Sequence, residues 1–411
     1  MRSKVLVKGP ILSRSGYGEH ARFVLRSLRD KQDELDIYVH PLNWGKTGWL
    51  YESSEERQWF DSLIQKTLLY HSNKDVKYDA AIQVTIPNEW ERMAPINIGV
   101  TAGIETDRVS PVWIEKSMLM NKIIVPSSHS KNTYKNTSYK AQNPATGEDV
   151  IVGCGTPIDV VPYPVKEIVS DEVNLEIETD FNFLVLAQWG PRKNITDTVQ
   201  WFVEEFIDQD VGLIIKTNIM KNSLMDCSYT KEKLQFILQK YKNRKCKVYL
   251  LHGDMTDEQV NSLYHNEKIK AMVSLTHGEG YGLPLFEAAY NGMPIVTCNW
   301  SGHVDFLNMP VKSKKGKTKD KAMFAKVDYK MGPISARAVW DGIIEKGTNW
   351  CYPEQGSYKM KLREVYKDYG RFKSTAKKLQ KHIKKEFSQE KVYKSMSDSL
   401  MELIPRPDIK L

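Results

Sequence analysis

Two carboxylates stand eight positions apart in LTHGEGYGLPLFEAAYNG (275–292), Glu279 in a glycine-rich bend and Glu287 in the helix-like run behind it. Carboxylates placed this way accept hydrogen bonds from sugar or ribose hydroxyls. Gly278, Gly280 and Gly282 let backbone amides approach a ligand closely. Pro284 at the first helical position and Gly292 just past the last mark a short helix, whose free N–H groups and positive dipole end suit a phosphate. The plainer alternative is a surface helix start, with Glu279 a turn residue and Glu287 an acid favoured by the helix dipole.

A basic pair, Arg192 and Lys193, lies in LAQWGPRKNITDTVQWF (186–202) between a strand-like and a helix-like run. A planar guanidinium fork beside a compact ammonium suits a diphosphate. A third glycine-bearing stretch, SRSGYGEHA (13–21), holds Gly16, Gly18 and Ala21 in the G-x-G-x-x-A spacing of a dinucleotide fold. Its strand ends near Lys8, too early for the tight turn of that fold, and no acid closes a second strand about 20 positions on. A loop facing a ligand bound mainly elsewhere fits better. DQD (208–210) has the form of a metal-binding acid pair, but it sits in a connection between a helix and the strand VGLIIK.

These residues need strand ends to hold them. KVLVKG, LDIYVH, DAAIQVT, INIGVT and NKIIVPS alternate with helical stretches, one of which sets Ala21, Val24, Leu25 and Leu28 on a single face. After an acidic linker at 166–182 a second series runs FLVLAQ, VGLIIKT, CKVYLLHG, IKAMVSLT and MPIVTC. Such alternation predicts parallel sheets covered by helices, hence an α/β chain of two consecutive units. Thr256 with Gln259 three residues on predicts a capping box. Phe372, Ala376, Leu379, Ile383 and Phe387, then Val392, Met396, Leu400 and Leu403, predict two closing helices. The expected division is 1–168 and 169–387, with the helix in 388–411 returning to the first unit.

At 411 residues, 41% hydrophobic and 27% charged, the chain is long enough for two cores. Five scattered cysteines (Cys154, Cys227, Cys246, Cys298, Cys351) show no metal-ligand spacing and suggest reduced thiols in a cytoplasmic protein. The N-terminal apolar run is too short for a secretory leader, and none approaches the roughly 18 residues of a membrane span, so membrane contact is expected to be peripheral at most. The net charge of +8 is concentrated: residues 310–385 hold 21 basic against 7 acidic residues. KSKKGKTKDK (312–321) reads as an exposed loop, and the block as a solvated face or a surface for polyanions.

The three elements together resemble the retaining glycosyltransferases of family 4, with the GT-B fold of two facing Rossmann-like domains. GEGYGLPLFEAAYNGMPIVTCNWSGHVDFL resembles the family's E-x7-E segment, PRKN its basic donor-phosphate motif, and SGYGEHAR its first glycine-rich loop. IETDRVSPVWIEKSMLMNKIIVPSSHSKNTY and VVPYPV resemble the end of its acceptor domain. The resemblance admits a virus-encoded member. It implies that Glu287 binds the donor ribose and Glu279 the transferred sugar. It further implies that amides around Gly280, Tyr281, Gly282 and Leu283 hold the diphosphate with Lys193, and that Gly16 and Gly18 close over it. Glu105 and Asp107 fall where acceptor-side polar residues are expected. Where the family has an Arg five residues before its phosphate Lys, this chain has Gln188, and Arg192 is the candidate replacement.

The implied reaction is transfer of a hexosyl or pentosyl group from a nucleotide-diphosphate sugar with retention, without a metal or other cofactor. The acceptor is expected to be a surface or envelope glycan. The alternatives are a hydroxymethylated base in DNA, reached through the basic surface at 310–385, and a non-catalytic nucleotide-sugar-binding protein.

Overall fold

The computed structural model describes residues 2–44, 47–73, 75–143, 145–312 and 316–406. Part of the lysine-rich stretch, 313–315, and the end of the terminal segment, 407–411, lie outside the described residues. The chain forms two compact units, one of Met1–Pro164, Val339–Thr348 and Gln389–Leu411, the other of Val165–Ala338 and Asn349–Ser388.

The first unit is built on a six-stranded sheet in the order Leu35–Pro41, Ser3–Gly9, Ala80–Val84, Ile96–Val100, Lys122–Val125, Ile158–Val160. Every neighbouring pair is parallel. Its strands are apolar nearly throughout, as parallel strands covered on both faces must be. Val5 pairs in register with Ile37 on one side and Ala80 on the other, and all three are buried. On the helix Gly16–Leu28, the expected inward residues Ala21, Val24, Leu25 and Leu28 have no exposed surface. Ser15 caps this helix by accepting from the Gly18 N–H at 3.0 Å, which satisfies one of its free amides. The late helix Gln389–Met401 belongs here too. Its Tyr393 ring lies 5.8 Å from Phe23, and Glu402 just beyond it meets the buried Lys122 ammonium at 2.5 Å. The excursion 339–348 seats Ile343 in the cluster around Trp113 and Tyr134, and Glu345 accepts from Ser110 at 2.7 Å.

The second unit repeats the plan with the order Lys247–Leu251, Gly212–Lys216, Asn182–Leu186, Ile269–Ser274, Ile295–Cys298, Ala325–Val327, again all parallel. Phe183, Phe202 and Phe206 anchor its core, with the rings of Phe183 and Phe206 stacked 5.9 Å apart. The capping box at Thr256 is present, with reciprocal bonds to Gln259 of 3.2 and 3.1 Å. The flanks of the lysine-rich stretch form an antiparallel ribbon, Asn308–Lys312 against Thr318–Ala322, where the sequence suggested a loop. Gly316, with φ of +78°, adopts a left-handed turn conformation that an L side chain resists, and lysines on both strands hid the pairing from a hydrophobicity pattern.

Candidate functional site

In an open parallel sheet the strand order reverses at one place, and ligands bind beyond the carboxyl ends of the strands there. In the second unit this place lies between Asn182–Leu186 and Ile269–Ser274, the first and fourth strands of that sheet. The first of them leads to Arg192 and Lys193, the other to Glu279. Asn194, with φ of +50°, turns the first loop into the helix Ile195–Glu205; asparagine is among the few residues that tolerate this region. The two loops are tied together where the His277 N–H donates to the Arg192 carbonyl at 2.9 Å.

The sequence places Arg192 and Lys193 on one loop and Glu279 on another, and the fold brings them together. The Lys193 ammonium lies 2.5 Å from one oxygen of Glu279, and the Arg192 guanidinium 2.9 Å from the other. The same Arg192 nitrogen donates to the Gly278 carbonyl at 2.7 Å. Glu279 is buried, and burial alone would raise its pKa. The two adjacent cations outweigh that effect and hold the carboxyl at about 2, so it is ionised at neutral pH. Gln188 turns elsewhere, its amide donating to the Ile219 carbonyl at 2.9 Å.

A third loop fixes the main chain of Glu279, and sequence reasoning did not single it out. The Ser301 hydroxyl accepts the Glu279 N–H at 2.9 Å, and the Gly302 N–H donates to the Glu279 carbonyl at 2.8 Å. Ser301 sits at φ +80°, a strained conformation for a residue with a side chain. A Cβ on Gly302 would lie 2.0 Å from the Gly280 carbonyl oxygen, so only glycine lets the loops approach this closely. His303 extends the chain of bonds. Its Nε2 faces the Cys298 carbonyl at 2.8 Å and must donate there, which leaves Nδ1 to accept from Ser301 Oγ at 3.4 Å. Burial lowers the His303 pKa, which keeps the ring neutral and preserves that tautomer. His277 is likewise lowered by burial; its ring stacks 4.7 Å from Trp350.

Gly282, with φ of +94°, opens the helix Leu283–Tyr290 and has Pro284 in its first turn, as the pattern predicts. The Tyr281 ring is buried between Phe286 and Phe306, at 5.3 and 4.9 Å. Glu287 lies in this helix and accepts from the Tyr264 hydroxyl at 2.9 Å, another partner the sequence did not disclose. Burial and the neighbouring Glu287 both push the Tyr264 phenol well above its usual value, so it stays a donor.

Gly16, Gly18, Glu105 and Asp107 belong to the first unit. The two glycines differ in what they tolerate. A Cβ at Gly18 would meet the Ser13 carbonyl oxygen at 2.0 Å, whereas at Gly16 it would meet nothing within 4 Å. Between them Tyr17 donates or accepts at 2.7 Å with the Thr101 hydroxyl, and the negative charge of Glu105 adds to the burial that raises the Tyr17 phenol. Asp107 faces its neighbour Arg108 at 4.0 Å. The DQD acids, Asp208 and Asp210, lie between the helix Ile195–Glu205 and the amino end of Gly212–Lys216, the edge opposite Glu279. Among the described residues no three His, Cys, Asp or Glu side chains form a metal-binding group, and no helix is long and apolar enough to cross a membrane.

Residues 169–326 match the family model for glycosyl transferases group 1. No curated protein matches the sequence. Among solved structures, HepE of Anabaena in complex with UDP and glucose is similar at a TM-score of 0.60 and 11% identity, covering 98% of this chain and 100% of that one. Sucrose-phosphate synthase of Thermosynechococcus elongatus is similar at 0.62 and 11%, covering 98% and 99%. The trehalose-6-phosphate structure from E. coli bound with UDP-2-fluoro glucose is similar at 0.58 and 10%, covering 98% and 100%. The chain therefore has the α/β GT-B fold, and the segment carrying Arg192, Lys193, Glu279 and Glu287 matches the glycosyl transferases group 1 domain.

Proposed function

We propose that the chain is a glycosyltransferase that moves a hexosyl or pentosyl group from a nucleotide-diphosphate sugar to an acceptor hydroxyl with retention of configuration. The observation that carries this reading is the Lys193–Glu279–Arg192 constellation, set beside the opening of the helix Leu283–Tyr290 within the matched segment. As the bond between the anomeric carbon and the donor oxygen breaks, the electron pair moves onto the leaving diphosphate. Lys193 and the amides of Gly280, Tyr281, Gly282 and Leu283 stabilise that developing charge. Glu279 is ionised, so it is not a proton donor; it accepts hydrogen bonds from hydroxyls of the transferred sugar, and Glu287 from those of the ribose. The acceptor proton passes to the leaving phosphate. The UDP-bound relatives favour a uridine nucleotide.

Because Lys193 and Arg192 supply fixed positive charge, the reaction is assigned without a metal, and excess chelator should leave the rate unchanged. Gly16, Gly18, Glu105 and Asp107 are assigned to the loops that complete the donor and acceptor sides, and the protein to the cytoplasm. The acceptor is assigned as a surface or envelope glycan. A second acceptor, a hydroxymethylated base in DNA, is favoured by one feature: Lys373, Lys377, Lys378 and Lys381 line a groove of about 520 Å³ on the helix Tyr369–Glu386, and the described residues place no carboxylate in ion-pair contact with them. A panel of UDP-, GDP- and ADP-sugars tests the reaction. One donor should raise the melting temperature and be hydrolysed slowly, with hydrolysis abolished by Glu279→Ala; a panel that does neither refutes the enzyme. Product masses with glycan and hydroxymethylated-DNA acceptors separate the two acceptors.

A further inference from the structure

Tryptophan carries a large apolar ring that gains by burial. Of the ten in the sequence, two are exposed, Trp49 at 49% and Trp340 at 59%, and both belong to the first unit. Each is fixed beyond the carboxyl ends of that unit's strands. Trp49 follows Leu35–Pro41 and pairs antiparallel with Ser13, in the loop after Ser3–Gly9: the Arg14 N–H donates to the Gly48 carbonyl, and the Leu50 N–H to the Leu12 carbonyl, both at 2.8 Å. Trp340 opens a turn closed on Ile344 by main-chain bonds of 3.0 and 2.8 Å. That turn is fastened to the loops after Ala80–Val84 and Ile96–Val100. The Asn88 amide donates to the Gly342 carbonyl at 2.9 Å, and the Ser110 hydroxyl to Glu345 at 2.7 Å. The strand order reverses between Ser3–Gly9 and Ala80–Val84, so the two rings are held on opposite sides of the place where an open parallel sheet binds ligands. The bonded pair Tyr17 and Thr101 spans that place, and Trp49 is linked to it. Thr47 bonds the Ser13 hydroxyl at 2.7 Å and donates to the Trp44 carbonyl at 3.2 Å, and the Trp44 ring lies 4.7 Å from Tyr17.

The charge of this edge narrows what it can hold. Segments 10–18, 42–56, 85–95, 101–110 and 339–348, which make it, carry nine Asp and Glu against five Lys and Arg, the reverse of the chain's net +8. A polyanion is repelled there, whether nucleic acid or a phosphate-bearing lipid surface. An uncharged sugar chain is not. Its rings offer C–H faces to an indole, and its hydroxyls donate to carboxylates, which a phosphate backbone cannot do. Neighbouring strands stand about 4.8 Å apart, so the strands under the two rings span roughly 10–15 Å, more than one sugar covers. Building on the glycosyltransferase reading, we infer that the first unit's edge binds an uncharged oligosaccharide as acceptor, with sugar rings stacked on Trp49 and Trp340 and the chain passing Tyr17. Tyr51, 76% exposed with the Arg14 guanidinium 5.2 Å from its ring centre, extends the surface beyond Trp49.

Calorimetric titration of the full chain without donor, against maltoheptaose, cellohexaose, mannohexaose and chitohexaose, tests this surface. Donor hydrolysis tests the glycosyltransferase reading separately, so either can fail alone. At least one of the four chains should bind, with an affinity that changes little as salt is added, because no charge is neutralised. Trp49→Ala and, independently, Trp340→Ala should each weaken that binding roughly tenfold, with melting temperatures near that of the unaltered chain. Trp49→Tyr keeps a flat ring in place and should keep most of the affinity, which a merely structural role for Trp49 would not require. Failure of all four chains to bind, or binding that neither alanine substitution alters, overturns the proposal. So does tighter, salt-sensitive binding of single-stranded DNA or a heparin fragment that Trp49→Ala abolishes, because a polyanion would then own the edge.

Discussion

The two units share an architecture and differ in what they hold beyond the carboxyl ends of its strands. Each has a six-stranded parallel sheet with its candidate residues beyond the carboxyl ends of the strands. In the second unit that edge is charged and rigid: two cations on one carboxylate, and a serine and a glycine clamping the carboxylate's own peptide. In the first unit it is a phenol against a hydroxyl, with Glu105 near them. On the proposed reading a leaving diphosphate is stabilised by positive charge held in a defined place, here two cations beside a carboxylate that stays, together with the amides at the helix start. The first unit's ion pairs near this edge, Lys8 with Glu91 and Arg14 with Glu52, are one cation to one carboxylate, and on the proposed reading the acceptor hydroxyl needs no more.

The sharpest way to break this contrast is Lys193→Ala. Loss of a charge that stabilises the leaving group should lower both donor hydrolysis and transfer by roughly 10²–10³-fold in kcat. An equal loss for a substitution on the first unit's edge, measured as donor hydrolysis without acceptor, would erase the distinction between the two edges.

Glu279→Gln separates charge from shape. The carboxyl titrates at about 2 in the fold against an ordinary value of 4.5, a depressed pKa, so its ionic contribution to stability is fully present above about 4.5 and is lost as pH falls toward 2. The substitution also leaves Lys193 and Arg192 facing each other with no anion between them. The melting temperature of the variant should therefore lie well below that of the unaltered chain at pH 7, and the gap should close between pH 4.5 and 2. A gap independent of pH across that window would show that the cations do not act through this carboxylate.

Ser301→Ala keeps the backbone and removes the acceptor of the Glu279 N–H. A buried amide without its partner costs about 1–3 kcal/mol, and the misplacement should reduce kcat about tenfold while leaving donor KM nearly unchanged. Ser301→Gly relieves the left-handed strain and loses the same bond, so it should recover stability without recovering rate. Recovery of both would mean that strain, and not the bond to Glu279, governs this loop.

How much of this was legible in the sequence follows from the range of the signals. Glu279, Lys193, Gly282 and the helix after it are visible because turn glycines, a first-turn proline and a strand's apolar run are neighbours in the chain. The buried stripe of Gly16–Leu28 and the capping box at Thr256 are local in the same sense. The alliance of Arg192 with Glu279 was not visible. Sequence suggested a diphosphate contact, and only the adjacency of two strands far apart in the chain shows the guanidinium bonded to the Gly278 carbonyl and the carboxylate. Ser301 and His303 lie across another strand from Glu279; the one trace they left was a Ser-Gly pair following Ile295–Cys298. The return of 339–348 to the first unit left none, because it rests on single contacts such as Ser110 with Glu345.

The smallest effect tests the first unit's edge. Tyr17→Phe removes the bond to Thr101, worth about 1 kcal/mol in stability, and leaves the ring in place. Because the substitution leaves the main chain of Gly16 and Gly18 in place and removes only a hydroxyl bonded to Thr101, donor hydrolysis without acceptor should be nearly unchanged, whereas acceptor-dependent transfer should fall several-fold once the acceptor is known. The raised pKa of this phenol keeps it protonated through the neutral range, so the defect should not vary between pH 6 and 9, a window well below the phenol's shifted value. If hydrolysis falls in step with transfer, Tyr17 supports the donor as much as the acceptor, and the division of labour between the two edges is wrong.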